Sequence, residues 1–219
     1  MKNIDLQKQV YTELRSRIVN FHLLPGDRVS DKEIASEFQI SRTPVREALI
    51  RLAGDGLIQA IRNKGFRVKT FTIKEVEDLY TLREHLEILA IRLATPKMDE
   101  SRIKEMRSLM EQYPALIESK DLAGFNSADE KFHDNIARFS ENELLEMTLK
   151  NKHEQIRIVR RYDHIRDTSF RETYEEHTQI LKHMVHGETT EAQQAMSYHI
   201  TQSMRNILAI IRNAVHLID

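Results

Sequence analysis

Apolar positions along this chain keep mostly helical spacing, and one short stretch breaks the pattern. Leu6, Val10, Leu14 and Ile18 stand four apart and line one face of a helix over about 6–21, which stops before Leu24-Pro25-Gly26-Asp27. Ser30 is placed to cap a short helix to Phe38, with Glu33 three residues on as its capping-box partner. After a turn at Gln39-Ile40, residues 41–52 read as a third helix. Its stripe is Val45, Ala48, Leu49 and Leu52, with Thr43, Arg46 and Glu47 off the stripe. Gly56 closes that helix, and 57–61 and 66–70 read as two strands around Arg62-Asn63-Lys64-Gly65.

Beyond Phe71 the pattern is helical throughout. Six helices are expected: from a Thr72 cap to about 95, before Pro96; about 101–119; from an Asp121 cap to about 140; about 142–161; about 168–186; and, past Gly187, about 189–216. The fold class expected is therefore mainly α. A winged helix-turn-helix domain over 1–71 precedes an all-α six-helix antiparallel bundle over 72–219. Six glycines, four prolines and 6% aromatic residues fit a helical chain.

Charge separates the same two parts. Residues 1–70 carry 13 Lys and Arg against 8 Asp and Glu, and the rest carry 20 against 26, so a net charge of −1 hides a basic head on an acidic body. A basic head suits contact with phosphate. There is no cysteine, no apolar run long enough to span a bilayer and no signal-peptide pattern at Met1-Lys2-Asn3-Ile4-Asp5. A cytoplasmic protein without disulfides, and with no membrane partner, is expected.

Two short helices joined by so tight a turn make a helix-turn-helix, whose second helix can enter a major groove. Arg42 and Arg46 at its exposed end would then meet guanine edges or phosphates.

The helical body carries polar residues where its wheels demand apolar ones. Asp129 and His133 lie within or beside the arc of Leu122, Phe125, Phe132, Ile136 and Phe139. His177 is near the middle of the face of Phe170, Tyr174, Ile180, Leu181 and Met184, and His199 lies among Ala192, Ala195, Ser203 and Ile210. His183 and His186 point away. Taken singly, each inward residue is explained by a hydrogen-bonded core. Four converging from three helices point to one divalent transition-metal ion per chain. Three imidazoles and one oxygen suit zinc first, and also nickel, manganese, cobalt or iron, over calcium or magnesium. Arg83 and Glu87 fall in the middle of the face of Val76, Leu79, Leu86, Ala90 and Ala94. They read as a buried i, i+4 ion pair, with Arg83 alternatively the fork that receives a carboxylate ligand.

These residues resemble a known family. Leu24-Pro-Gly-Asp-Arg28, Ser41-Arg-Thr-Pro-Val-Arg-Glu-Ala-Leu49 and Asp55-Gly-Leu-Ile58 resemble the winged-helix domain of the GntR family of bacterial transcription regulators. Leu82-Arg-Glu-His-Leu-Glu87, Asp129-Glu-Lys-Phe-His133, Asn142-Glu-Leu-Leu145, Glu176-His177 and His199 resemble the FCD domain of its FadR subgroup. The resemblance implies a homodimer on a short palindromic operator, usually a repressor released by a small organic or sugar acid. It further implies Asp129, His133, His177 and His199 as metal ligands, and DNA contacts at Lys32, Arg42, Thr43, Arg46 and Gly65. Lys32 stands where the family often has arginine. Two other classes stay open: a regulator for which the ion itself is the signal, and a metal-dependent hydrolase, for which no general base can be assigned.

Overall fold

The computed structural model describes residues 2–19, 22–61, 65–163 and 169–215. It divides into two compact units, Met1–Phe71 and Thr72–Asp219. The basic wing tip expected at 62–64 and His216 lie outside the described residues.

In the first unit, α1 (Lys2–Val19), α2 (Asp31–Glu37) and α3 (Arg42–Gly54) pack with a small sheet of β1 (Arg28–Val29), β2 (Ile58–Ile61) and β3 (Gly65–Val68). The stripe of α3 meets that of α1: Val10, Leu14, Ile18, Val45, Ala48, Leu49 and Leu52 are all essentially excluded from solvent. The turn between α2 and α3 is closed by Gln39 at φ 55° and by the Ile40 N–H on the Ala35 carbonyl. Gly56, at φ 74°, ends α3 and lets the Leu57 N–H return to the Leu52 carbonyl, as a left-handed cap requires.

The strand order is β1-β3-β2, antiparallel, with Val29 opposite Phe66 and Ile61 opposite Gly65. The third strand, β1, has too short an apolar run to be read from pattern. Contacts made by the turn ahead of it hold it in place. Leu24 N–H donates to Asp27 Oδ2 at 2.7 Å, and Gly26 N–H and the Asp27 carbonyl bond to Val68.

The second unit begins at a complete capping box. Thr72 Oγ1 accepts from the Glu75 N–H at 3.2 Å, and Glu75 Oε2 accepts from the Thr72 N–H at 2.9 Å. At Ser30 the forward half of the expected box is made, Glu33 N–H to Ser30 Oγ at 3.4 Å. From Thr72 run α4 (Ile73–Ala94), a 3-10 turn at Thr95–Lys97 holding Pro96, α5 (Glu100–Met110), α6 (Tyr113–Glu118), α7 (Leu122–Phe139), α8 (Glu143–Asp163), α9 (Ser169–Val185) and α10 (Thr189–Val215). Asp121 caps α7 through the Gly124 N–H, as expected.

One expected helix, over about 101–119, is two. Pro114 has no N–H to give the carbonyl of Met110 and its ring would strike it, so α5 ends there and α6 restarts at Tyr113. The long helix α10 packs most extensively along α4 and α9, and α7 packs on α4. These four surround a core of Phe125, Phe132, Ile136, Ile180, Met184, Met196 and Ile207.

Replacing Thr72 with Ala should destabilise the helical unit by about 1 kcal/mol, because the first turn of α4 loses its acceptor. The measurement is the denaturant midpoint of that unit's transition; an unshifted midpoint would mean that packing alone holds the start of α4.

Candidate metal centre and nucleic-acid interface

Asp129 and His133 come from α7, one turn apart, His177 from α9 and His199 from α10. All four are buried, and their ligand atoms lie within 4.8 Å of one another. Donors about 2.1 Å from a shared ion stand roughly 3 to 4 Å apart, so the cluster is slightly wider than a filled site.

Each imidazole is oriented from outside the cluster. His133 Nδ1 is bonded to Glu87 Oε2. His199 Nδ1 donates to Glu176 Oε2 at 2.7 Å, and His177 Nδ1 is 3.1 Å from the Tyr113 hydroxyl. A carboxylate on Nδ1 leaves Nε2 of His133 and of His199 as the lone-pair atom, the arrangement that outer partners impose on metal-binding histidines, while the Tyr113 hydroxyl can accept from His177 Nδ1 or donate to it. Phe132 stacks on the His177 ring at 3.8 Å and fixes its plane.

The inner atoms are not satisfied among themselves. Asp129 Oδ2 takes the Arg160 guanidinium, but among the described residues Oδ1 has no hydrogen-bond partner, and neither has His177 Nε2 only 3.5 Å away. Two buried polar atoms face each other without a hydrogen bond, which is costly unless a cation or a proton stands between them. Burial pushes His133 down to about 4 against the opposing pull of Glu87. Burial and the neighbouring imidazoles hold His177 well below its ordinary value. Neutral imidazoles, one carboxylate oxygen and no thiolate fit a borderline transition metal.

Arg83 and Glu87 are paired as the spacing predicted: Arg83 Nε donates to Glu87 Oε1 at 2.8 Å. Burial works to raise the Glu87 carboxyl, but His133 and Arg83 overcome it and keep it ionised. Arg83 has two further edges. Nη2 donates to His133 Nε2 at 3.1 Å, and Nη1 is buried without a partner among the described residues. Arg83 lines a nearly closed cavity with Asp129, Arg160, Thr173, His199 and Ser203. Burial, then the charge of Arg83, pushes Arg160 down to about 10.

Sequence reasoning passed over Arg160 and Tyr113, and it quoted Glu176 only beside His177, with no role of its own. Arg160 carried a signal, since it falls on the stripe of Leu145, Leu149 and Ile156 in α8. Tyr113 carried none. It reaches the cluster because the helix breaks at Pro114 and points the new first residue at α9.

In the first unit, Lys32, Arg42, Thr43 and Arg46 are all exposed, at the starts of α2 and α3. Arg42 Nη2 donates to both oxygens of Asp31, at 3.0 and 2.8 Å, which ties the two helix starts together. Gly65 is exposed at φ 83°, a backbone angle that side chains strain, where the wing turns into β3.

Comparison with known proteins agrees with both halves. Residues 6–68 match the profile of bacterial regulatory proteins, gntR family, and residues 78–202 that of the FCD domain. The Nta operon transcriptional regulator of Aminobacter aminovorans is 35% identical over 204 residues, covering 90% of this chain and 92% of that one. The HTH-type transcriptional repressor RspR of Escherichia coli is 29% identical over 207 residues, covering 92% and 90%. Among solved structures, E. coli McbR/YncC superposes with a TM-score of 0.77 at 22% identity, covering 95% of this chain and 98% of that one. The first two are transcriptional regulators, not enzymes, and among the described residues no helix is long and apolar enough to cross a membrane. The chain belongs to the GntR family: it is a bacterial transcription regulator with a helix-turn-helix DNA-binding domain and an FCD effector-binding domain.

Proposed function

We propose that this regulator is a homodimeric repressor that holds one transition-metal ion per chain, zinc first, on Asp129, His133, His177 and His199. In this reading a small organic or sugar acid binding beside that ion lowers affinity for a palindromic operator. Lys32, Arg42, Thr43, Arg46 and Gly65 make the DNA contacts, with residues 1–71 as the DNA-binding domain and 72–219 as the effector domain. The observation that carries the metal is the pair of buried atoms Asp129 Oδ1 and His177 Nε2, 3.5 Å apart and with no hydrogen bond to either among the described residues.

Charge supports the acid. Arg83 and Arg160 balance Glu87 and Asp129, and Glu176 adds one partly buried negative charge. A divalent ion would leave these buried and partly buried groups with an excess of one positive charge, which a single carboxylate neutralises; the further carboxylate of the cavity, Glu172, is exposed. When bound, the ion supplies a Lewis-acidic point for a carboxylate oxygen. Arg83 offers its unpartnered Nη1 from the same cavity, and Thr173, Gln202, Ser203 and Asn206 offer hydroxyls and amides suited to a hydroxylated acid. The acid regulates only by binding the DNA-free arrangement more tightly; a tenfold change in operator affinity needs a coupling of about 1.4 kcal/mol.

A second reading, in which the ion itself is the signal, is favoured by the size of that cavity. Its free volume of about 10 Å³ is room for one water-sized particle, so an acid enters only if the helices that line the cavity move apart. Thermal-shift scans with small carboxylic and sugar acids, on metal-loaded and chelated protein, separate the readings. Acid-dependent stabilisation supports an acid effector; operator affinity that tracks metal alone supports the ion.

His177→Ala should lower metal content per chain, read by elemental analysis of tag-free protein, and should lower the thermal midpoint with it. An ion held only by the folded state at a hundredfold excess over Kd contributes about 2.7 kcal/mol. Wild-type preparations that repeatedly hold no metal would return the four residues to the core.

Arg46→Ala should weaken operator binding by about 1 to 3 kcal/mol if the arginine reads a base. Fluorescence anisotropy on one duplex measures it. A loss that is uniform across sequences, with a smaller salt slope, means a phosphate contact. Unchanged affinity eliminates this helix face as the reader.

A further inference from the structure

Of the three inward Nε2 atoms, that of His133 is already in use. Glu87 holds its Nδ1, which leaves the Nε2 lone pair as acceptor, and the donor on that lone pair is Arg83 Nη2 at 3.1 Å. A guanidinium therefore occupies the point on His133 at which a metal would be ligated. One lone pair cannot serve both. A divalent ion on His133 would also stand close to a buried positive charge, in surroundings that screen little.

Resting on the metal reading above, we propose that Arg83 is a placeholder: it satisfies His133 in the empty centre and is displaced from that nitrogen when the ion binds. Displacement does not expel the side chain. Nε remains on Glu87 at 2.8 Å. Nη2 is then released beside Nη1, which already lacks a partner. Two free donors on one planar group make the edge that a carboxylate accepts in bidentate fashion. Filling the centre thus converts Arg83 from a metal surrogate into an anion receptor, which orders the binding: ion first, acid second.

The sign of one substitution separates this role from simple support. Arg83→Met removes the competing donor and a nearby positive charge and leaves Glu87 more negative, and all three changes favour the ion. Calorimetric titration of Zn²⁺ into the chelated full chain should give binding about three- to tenfold tighter than wild type, the size expected for losing one competing hydrogen bond. If Arg83 served only to hold Glu87 and, through it, His133, the same variant would bind Zn²⁺ about 10- to 100-fold more weakly, and the placeholder role is overturned. Arg83→Lys, which keeps a cation for Glu87 but has no second edge for His133, should show the same gain if Arg83→Met fails to fold.

The wild-type chain gives an independent reading. In ¹⁵N spectra of its side chains, His133 Nε2 should change from hydrogen-bond acceptor to metal ligand on Zn²⁺ addition, and the Arg83 Nη resonances should move in step. Zn²⁺ binding that leaves the Arg83 resonances unmoved overturns the placeholder alone. Failure of the wild type to bind Zn²⁺ overturns the metal centre itself, and the placeholder with it.

Discussion

Charge buried without water has to be satisfied from within, and in the helical domain Glu87 is the residue through which most of that is done. Its two oxygens take Arg83 Nε and His133 Nδ1, from α4 and α7. Losing one member of such a set strands the others in the interior, at a cost of about 3 to 5 kcal/mol, whereas the intact set adds little net stability. What it contributes is orientation. With Nδ1 of His133 committed to Glu87, the ring has one tautomer and one inward-facing lone pair. Glu176 does the same for His199, and Tyr113 sets His177 from a third direction.

The polar centre is thereby fully braced on its outside and incomplete on its inside. Among the described residues, Oδ1 of Asp129 and Nε2 of His177 have no hydrogen-bond partner, and neither have Arg83 Nη1 and Arg160 Nε. A core built for stability alone would pair or replace such groups. A cation meets the first pair and an anion the second, so the same side chains suit a metal and an acid together. The break between α5 and α6 belongs to this arrangement, because it delivers Tyr113 to His177.

The DNA-binding domain works differently, with an apolar core of its own and its chemistry on the surface. The stripe of α3 is spent on packing against α1, so the residues left for DNA are those at the exposed start of the helix. Asp31 holds Arg42 there, but the Arg42 side chain is 61% exposed, and a surface pair of that kind contributes about 0 to 1 kcal/mol. It aims the guanidinium without locking it, so a phosphate can compete for it.

Helix-forming spacing, the caps at Thr72 and Asp121, the stop at Pro96 and the winged helix-turn-helix were all legible in the sequence, because each depends on residues within a turn or two of one another. So was the inward direction of Asp129, His133, His177, His199 and the pair Arg83–Glu87, since a helical wheel assigns a face without knowing what lies opposite. Local spacing could not supply the partners across helices. Tyr113 meets His177 across 64 residues and Glu87 meets His133 across 46. Strand β1 forms by pairing with β3, beside the turn at Gly26 that bonds to Val68. Nor does any periodicity show that the second hydrogen bond of Arg83 goes to His133. The sequence by itself determined which faces are buried and which polar groups are buried with them. The tertiary structure decided which of those groups meet, because a hydrogen bond depends on a fraction of an ångström between elements that the chain order leaves free to pack.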